Sequence, residues 1–157
     1  MSKPDEELIA RSVRQIRYAA LDGAVILWPG EALAAPFSTI LAKGWLPGTV
    51  LRVLKSDEAA SSSLPAWLAA LLPVEEIALG GIEPAEMCKR LGAEAIIAGT
   101  LPPGGTSGLP RWVAPLSGLP NSALKALEAT RVTAPPVYDE HELVAVAMQR
   151  MRRLGYL

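Results

Sequence analysis

The chain has 157 residues, with 15 Lys plus Arg against 16 Asp plus Glu and a formal net charge of −1; half of it is hydrophobic and a fifth is charged. That is one domain's length, too apolar for a disordered chain and without the basic surplus of a general nucleic-acid binder. One cysteine, Cys88, excludes an intrachain disulfide and a Cys-based zinc site, and one histidine, His141, excludes a His-rich metal centre.

Residues 4–20 carry Leu8, Ile9, Val13, Ile16 and Ala20 close to helical spacing, with Pro4, Asp5, Glu6 and Glu7 suited to a first turn. Arg11, Arg14 and Arg17 form one stripe on this helix, read as a solvated face before it is read as a site for an acidic partner. The acidic, polar start lacks the basic region and apolar stretch of a secretory signal, and the apolar run 64–74 is too short to span a bilayer. A soluble, cytoplasmic protein is the expectation.

Residues 24–28, closed by Pro29–Gly30, read as a buried strand. A helix is expected over 31–43, stopped by Gly44, with Pro36 limiting it to the part that follows. Residues 49–55 are a second strand, and 56–63 a polar loop in which Ser62 or Ser63 caps a short helix over 64–72. Strands follow at 75–79 and 94–98, flanking a helix at 84–91 that Gly92 ends. The segment 102–120 is rich in Pro and Gly and reads as a functional loop with a short strand at 112–114. Asn121 or Ser122 suits the cap of a helix over 122–129, and Pro135–Pro136 force an extended link. The C-terminal helix, 139–155, opens on Asp139 with Glu142 three residues on, as in a capping box. Leu143, Ala147, Met151 and Leu154 line one face, with Val144 and Met148 beside it, and the two methionines are expected in the core.

The alternation of strands and helices from 24 to 98 predicts a single α/β domain over 1–157. It is expected to be three-layered, with a mainly parallel sheet of about four to five strands and helices on both faces. The strands at 24–28, 75–79 and 94–98 are read as apolar with little alternation, as strands buried on both faces are. In such sheets ligands gather beyond the carboxyl ends of the strands. Gly80, Gly81, Gly99, Thr100, Lys55 and Asp57 are therefore the candidate ligand-binding residues, with Glu31 a further polar group facing the crevice.

Leu79–Gly80–Gly81–Ile82–Glu83–Pro84 and the later Leu91–Gly92–Ala93–Glu94–Ala95–Ile96–Ile97–Ala98–Gly99–Thr100 are the most suggestive stretch. Together they resemble the phosphate-binding end of (β/α)₈ barrels such as thiamine-phosphate synthase. The resemblance implies a phosphate held on backbone N–H groups of the Gly-Gly-Ile and Gly-Thr turns. It is confined to residues 79–100, the chain is shorter than a usual barrel, and the lysine and substrate signature of that family do not precede it. No Walker or Gly-x-Gly-x-x-Gly motif is present, and no motif calls for a cofactor.

Cys88, near Lys89 and Arg90, reads as a packed small residue rather than an activated thiol, and His141 as a surface residue at a helix start. Trp28 reads as core. Trp45 and Trp112 lie in turn or loop settings and suit a partner-binding anchor, as do Arg150 and Arg153 near the C-terminus. Acid–base side chains are scarce, while apolar residues, tryptophans and the 102–120 segment point to interaction. The expected function is that of a small accessory or assembly protein that binds another protein or itself through the last helix and the 102–120 loop. A small-molecule or phosphate-ligand protein, enzyme or binder, is the alternative. A nucleic-acid partner would need the arginines of the first and last helices side by side and is not expected.

Overall fold

The computed structural model describes residues 3–21, 23–27, 31–46, 50–55, 65–93, 95–97, 108–109, 111–134 and 137–157. The helices are α1 (Lys3–Leu21), α2 (Glu31–Gly44), α3 (Ala66–Leu71), α4 (Pro84–Leu91), α5 (Asn121–Ala129) and α6 (Glu140–Arg153). The strands are β1 (Val25–Leu27), β2 (Leu51–Lys55), β3 (Val74–Ala78), β4 (Ala95–Ile97) and β5 (Trp112–Val113). The fold is α/β, and its strands form one sheet in the order β3-β2-β1-β4-β5. Every pairing is parallel, with Leu27 opposite both Leu54 and Ile97.

Successive side chains of a strand point to opposite faces of its sheet. Ile26, Leu51, Val53 and Val113 accordingly join Ile16, Phe37, Ile40 and Leu127 in the larger core cluster, beneath α1, α2 and α5. Val25, Leu27 and Leu54 point the other way and meet Met87 and Cys88 of α4 and Ala93. β1, at the centre, is buried throughout. β3 is not: it is an edge strand with Glu75, Glu76 and Ala78 exposed, which corrects the expectation that its apolar look means burial on both faces.

Pro36 does not shorten α2, which runs unbroken around it. A proline inside a helix costs about 3 kcal/mol. Phe37, Ile40 and Leu41 are fully buried just after it, and each contributes roughly 1.5–3 kcal/mol, so packing outweighs the lost backbone bond. Gly44, at the end of α2, lies so close to α1 that an added Cβ would stand 2.9 Å from Ile16 Cβ and from the Val13 carbonyl oxygen.

Two helix ends follow local chemistry. Gly92 takes a left-handed φ of 62° and ends α4, its N–H donating to the Cys88 and Lys89 carbonyls. Asp139 caps α6 by accepting from the His141 N–H at 2.7 Å. The cap expected for α5 does not form, since the helix begins at Asn121 after Pro120 and the Ser122 hydroxyl donates instead to Asp5 at 3.1 Å. Ser62 and Ser63, expected to cap α3, lie outside the described residues, and α3 begins directly after Pro65. Trp28 lies outside them as well.

The second half of the 102–120 segment is not a free loop. Val113 of β5, Leu116 and Leu119 belong to the larger core cluster, with Leu116 only 6% exposed. Residues 111–120 therefore form part of the core rather than a wholly irregular loop, while 102–107 and 110 lie outside the described residues.

Candidate functional site

The strand order sets where a parallel-sheet ligand site would fall. The chain turns from β1 to one side of the sheet (β2, β3) and from β4 to the other (β5). The switch point is therefore the pair β1/β4, whose carboxyl ends lead into residues 28–30 and 98–100. Gly99, Thr100 and Asp57 lie outside the described residues; Lys55 has its backbone in β2 and its side chain outside the description, as do Trp112 in β5 and Arg153 in α6. Glu31 begins α2, and its side chain too is outside the description.

Gly80 and Gly81 are described in full. Both have positive φ, 60° and 80°, and the Leu79 carbonyl accepts from the Ile82 N–H at 3.0 Å, which makes a tight turn that demands glycine at both positions. Nothing lies within 4 Å of a Cβ built at either one, so the turn stands open to solvent. It follows the edge strand β3, and β2 and β1 separate it from β4. Three inter-strand steps of this kind span about 14 Å. In the barrels that this stretch resembles, one phosphate sits between the ends of neighbouring strands; here a single phosphate does not reach both Gly80–Gly81 and the end of β4.

A cleft of about 490 Å³ opens between the start of α3, the first half of α2 and the end of α5. Ala35, Pro65, Trp67, Glu128, Thr130 and Arg131 line it. Its volume is that of a ligand pocket. Among the described residues its lining pairs one carboxylate and one guanidinium with an indole, and holds neither histidine nor cysteine. Beneath it the Thr39 hydroxyl is buried and lies 3.0 Å from both the Leu127 and the Thr130 carbonyl oxygens, tying α2 to the end of α5.

Cys88 is completely buried, and desolvation raises its thiol pKa against the opposing pull of Arg52. A buried neutral thiol is no nucleophile. His141 is exposed at the start of α6. Among the described residues no group of three or more His, Cys, Asp or Glu could hold a metal, and no helix is long and apolar enough to cross a membrane.

Trp45 is not a surface anchor. It follows α2 directly, is 2% exposed within the core, and its carbonyl accepts a hydrogen bond from the Tyr138 hydroxyl. Arg17 belongs to the same cluster. It pairs with Glu142, lies over the Tyr138 ring at 4.7 Å and donates to the Lys43 carbonyl. Burial raises the Tyr138 pKa, and Arg17 pulls it back. Arg11 and Arg14 remain exposed, so the arginine stripe of α1 is split between a solvated part and an inter-helix tie. The first and last helices do adjoin through this tie, but Arg17 is committed to it.

The largest departure from expectation is α6. Val146 is buried and Glu142, one turn earlier on the same side, reaches Arg17, so this side faces α1. The apolar stripe points away. Leu143, Val144, Met148, Met151 and Leu154 are 39–52% exposed, and Tyr156 and Leu157 beyond them more so. Met148 and Met151 are therefore not core residues, and Arg150 is exposed beside them. The sequence marks an apolar face on this helix; which face finds a partner inside the domain is signalled only by Val146 and Glu142 sharing one side. No family model, curated protein or solved structure matches the chain.

Proposed function

We propose that the protein is a small soluble accessory or assembly protein that holds another polypeptide chain on the outward face of α6. The observation that supports this is the apolar stripe Leu143–Val144–Met148–Met151–Leu154, exposed on a helix whose opposite side is buried. Scattered apolar residues are ordinary on a surface, whereas a contiguous stripe along a whole helix marks an interaction face. Arg150 and Arg153 border this face in sequence, and Trp112 is a further candidate contact. We take the domain as three-layered, helices on both faces of the sheet, which the two core clusters favour. The reading is of a cytoplasmic protein, in keeping with a free cysteine.

Native mass spectrometry of the protein purified gently from its source tests the reading. A second polypeptide, identical or not, is expected on the wild type and lost in a Leu143→Glu, Met151→Glu variant. A variant with unaltered mass and partners overturns it.

The strand order favours a second reading, a small anionic ligand at the carboxyl ends of β1 and β4, with Gly99 and Thr100 as its contacts and with Lys55 and Asp57 at the end of, and just after, the neighbouring strand β2 in sequence. Gly80 and Gly81 would then serve a separate subsite. Co-purification of a phosphorylated small molecule, lost on Thr100→Val, is the expected result; a protein that comes free of any such molecule and shows no thermal shift with phosphate removes this reading.

A further inference from the structure

The face on α6 carries information about its occupant. Along the stripe, Leu143 and Met151 lie one turn before and one turn after Ala147, which is small and exposed. Acidic residues, Asp139 and Glu140, stand at the start of the helix, and the basic Arg150 flanks the stripe in its last turns. Such a face is complementary to itself when the second helix runs antiparallel. Turned about a two-fold axis at Ala147, Leu143 of one copy meets Met151 of the other, the small Ala147 pair lets the helices approach closely, and each acidic start lies beside a basic end. A parallel arrangement would put like charges together. The net charge of −1 adds no general repulsion between copies.

The geometry points to a second copy of this chain as the occupant, paired antiparallel through α6 about Ala147. This rests on the proposed interaction role of α6 and names its partner. A helix of this length is about 21 Å long, and one such face buries less than the ~1,200 Å² of a standard stable interface. The dimer is therefore a weak, exchanging one, formed in the micromolar range.

The purified full-length protein tests this by sedimentation velocity from about 5 to about 500 µM, a range that brackets such an affinity. A concentration-dependent dimer is expected, weakened at least tenfold by Met151→Glu, with far-UV circular dichroism unchanged because Met151 is exposed. Ala147→Cys should form an intermolecular disulfide under mild oxidation, since the native Cys88 is buried; Gln149→Cys, on the other side of the helix, should not. A monomer at the highest concentration, or equal crosslinking by both cysteines, overturns the proposal. If a monomer instead holds a different polypeptide that Met151→Glu releases, self-pairing is wrong while the wider reading of α6 stands. If Met151→Glu changes neither self-association nor any bound polypeptide, both fall.

Discussion

Arg17 of α1 and Glu142 of α6 form an ion pair in which the arginine side chain is 13% exposed and the glutamate 38%. The pair joins the first helix of the chain to the last. It also fixes which side of α6 turns inward, and so leaves the apolar stripe outside. Arg17 Nε is buried without a hydrogen-bond partner, so the guanidinium draws its support from Glu142, the Lys43 carbonyl and the Tyr138 ring.

Arg17→Ala is expected to cost about 1.5–3 kcal/mol, the range for hydrogen bonds to charged groups. Urea unfolding measures the loss. Proteolysis near residues 131–137 should quicken at the same time, because α6 loses its tie. A variant as stable and as resistant as the wild type would place the anchoring of α6 in Val146 alone.

Tyr138 gives a pH signature. Its neutral form is favoured in the folded state by burial, which raises its pKa above the ordinary value near 10. The associated stability is complete below pH 10 and is lost as pH rises through the raised folded value. The difference in unfolding free energy between wild type and Tyr138→Phe should therefore shrink from about pH 9 upward. A difference that stays constant into strong alkali would show that the phenol does not titrate in the folded protein differently from the unfolded one.

Thr39 is the buried polar link between α2 and α5. Thr39→Val keeps the shape and removes the proton shared by the Leu127 and Thr130 carbonyls, at an expected cost of about 1–2 kcal/mol. Thr39→Ser should retain the larger part of that link. Thermal unfolding of the two variants side by side decides it, and a larger loss in Thr39→Ser than in Thr39→Val would assign the effect to the methyl group.

Gly44→Ala should destabilise by about 1–3 kcal/mol, since the new methyl meets Ile16 and the Val13 carbonyl at distances that force the helices apart. Ile16→Val in the same chain should not recover the loss, because valine keeps the Cβ and Cγ2 that the new methyl meets. A neutral Gly44→Ala would mean that α1 and α2 separate without cost.

Local signals in the sequence located most of the elements. Gly92 and Asp139 mark helix ends because their chemistry acts within one turn, and Val25–Leu27 reads as a buried strand because it is apolar throughout and ends at Pro29–Gly30. What depends on partners far along the chain was not legible. β3 looks like a core strand until the pairing order puts it at an edge. Trp45 looks like a loop residue until Tyr138, distant in sequence, closes over its carbonyl. Ser122 has the chemistry of a cap and is taken by Asp5 instead. The periodicity of α6 reveals that an apolar face exists, but a single helix carries no sign of whether its own domain covers that face. For the candidate ligand residues, the sequence named the carboxyl ends of the strands, while the separation of Gly80–Gly81 from the end of β4 follows only from strand order.

The position of β3 bears on edge-to-edge association between copies of the chain. An outermost strand offers unpaired backbone groups to any extended chain, and neighbouring molecules can stack onto it without limit. Here Glu75 and Glu76 are exposed on alternate sides of that strand, so an incoming copy would bring carboxylates against carboxylates on both surfaces. The opposite border, β5, has two residues and gives little to template. Open-ended fibre growth through the sheet is disfavoured at both borders, and neutralising Glu75 and Glu76 together should reveal it as turbidity or thioflavin binding in an otherwise folded protein.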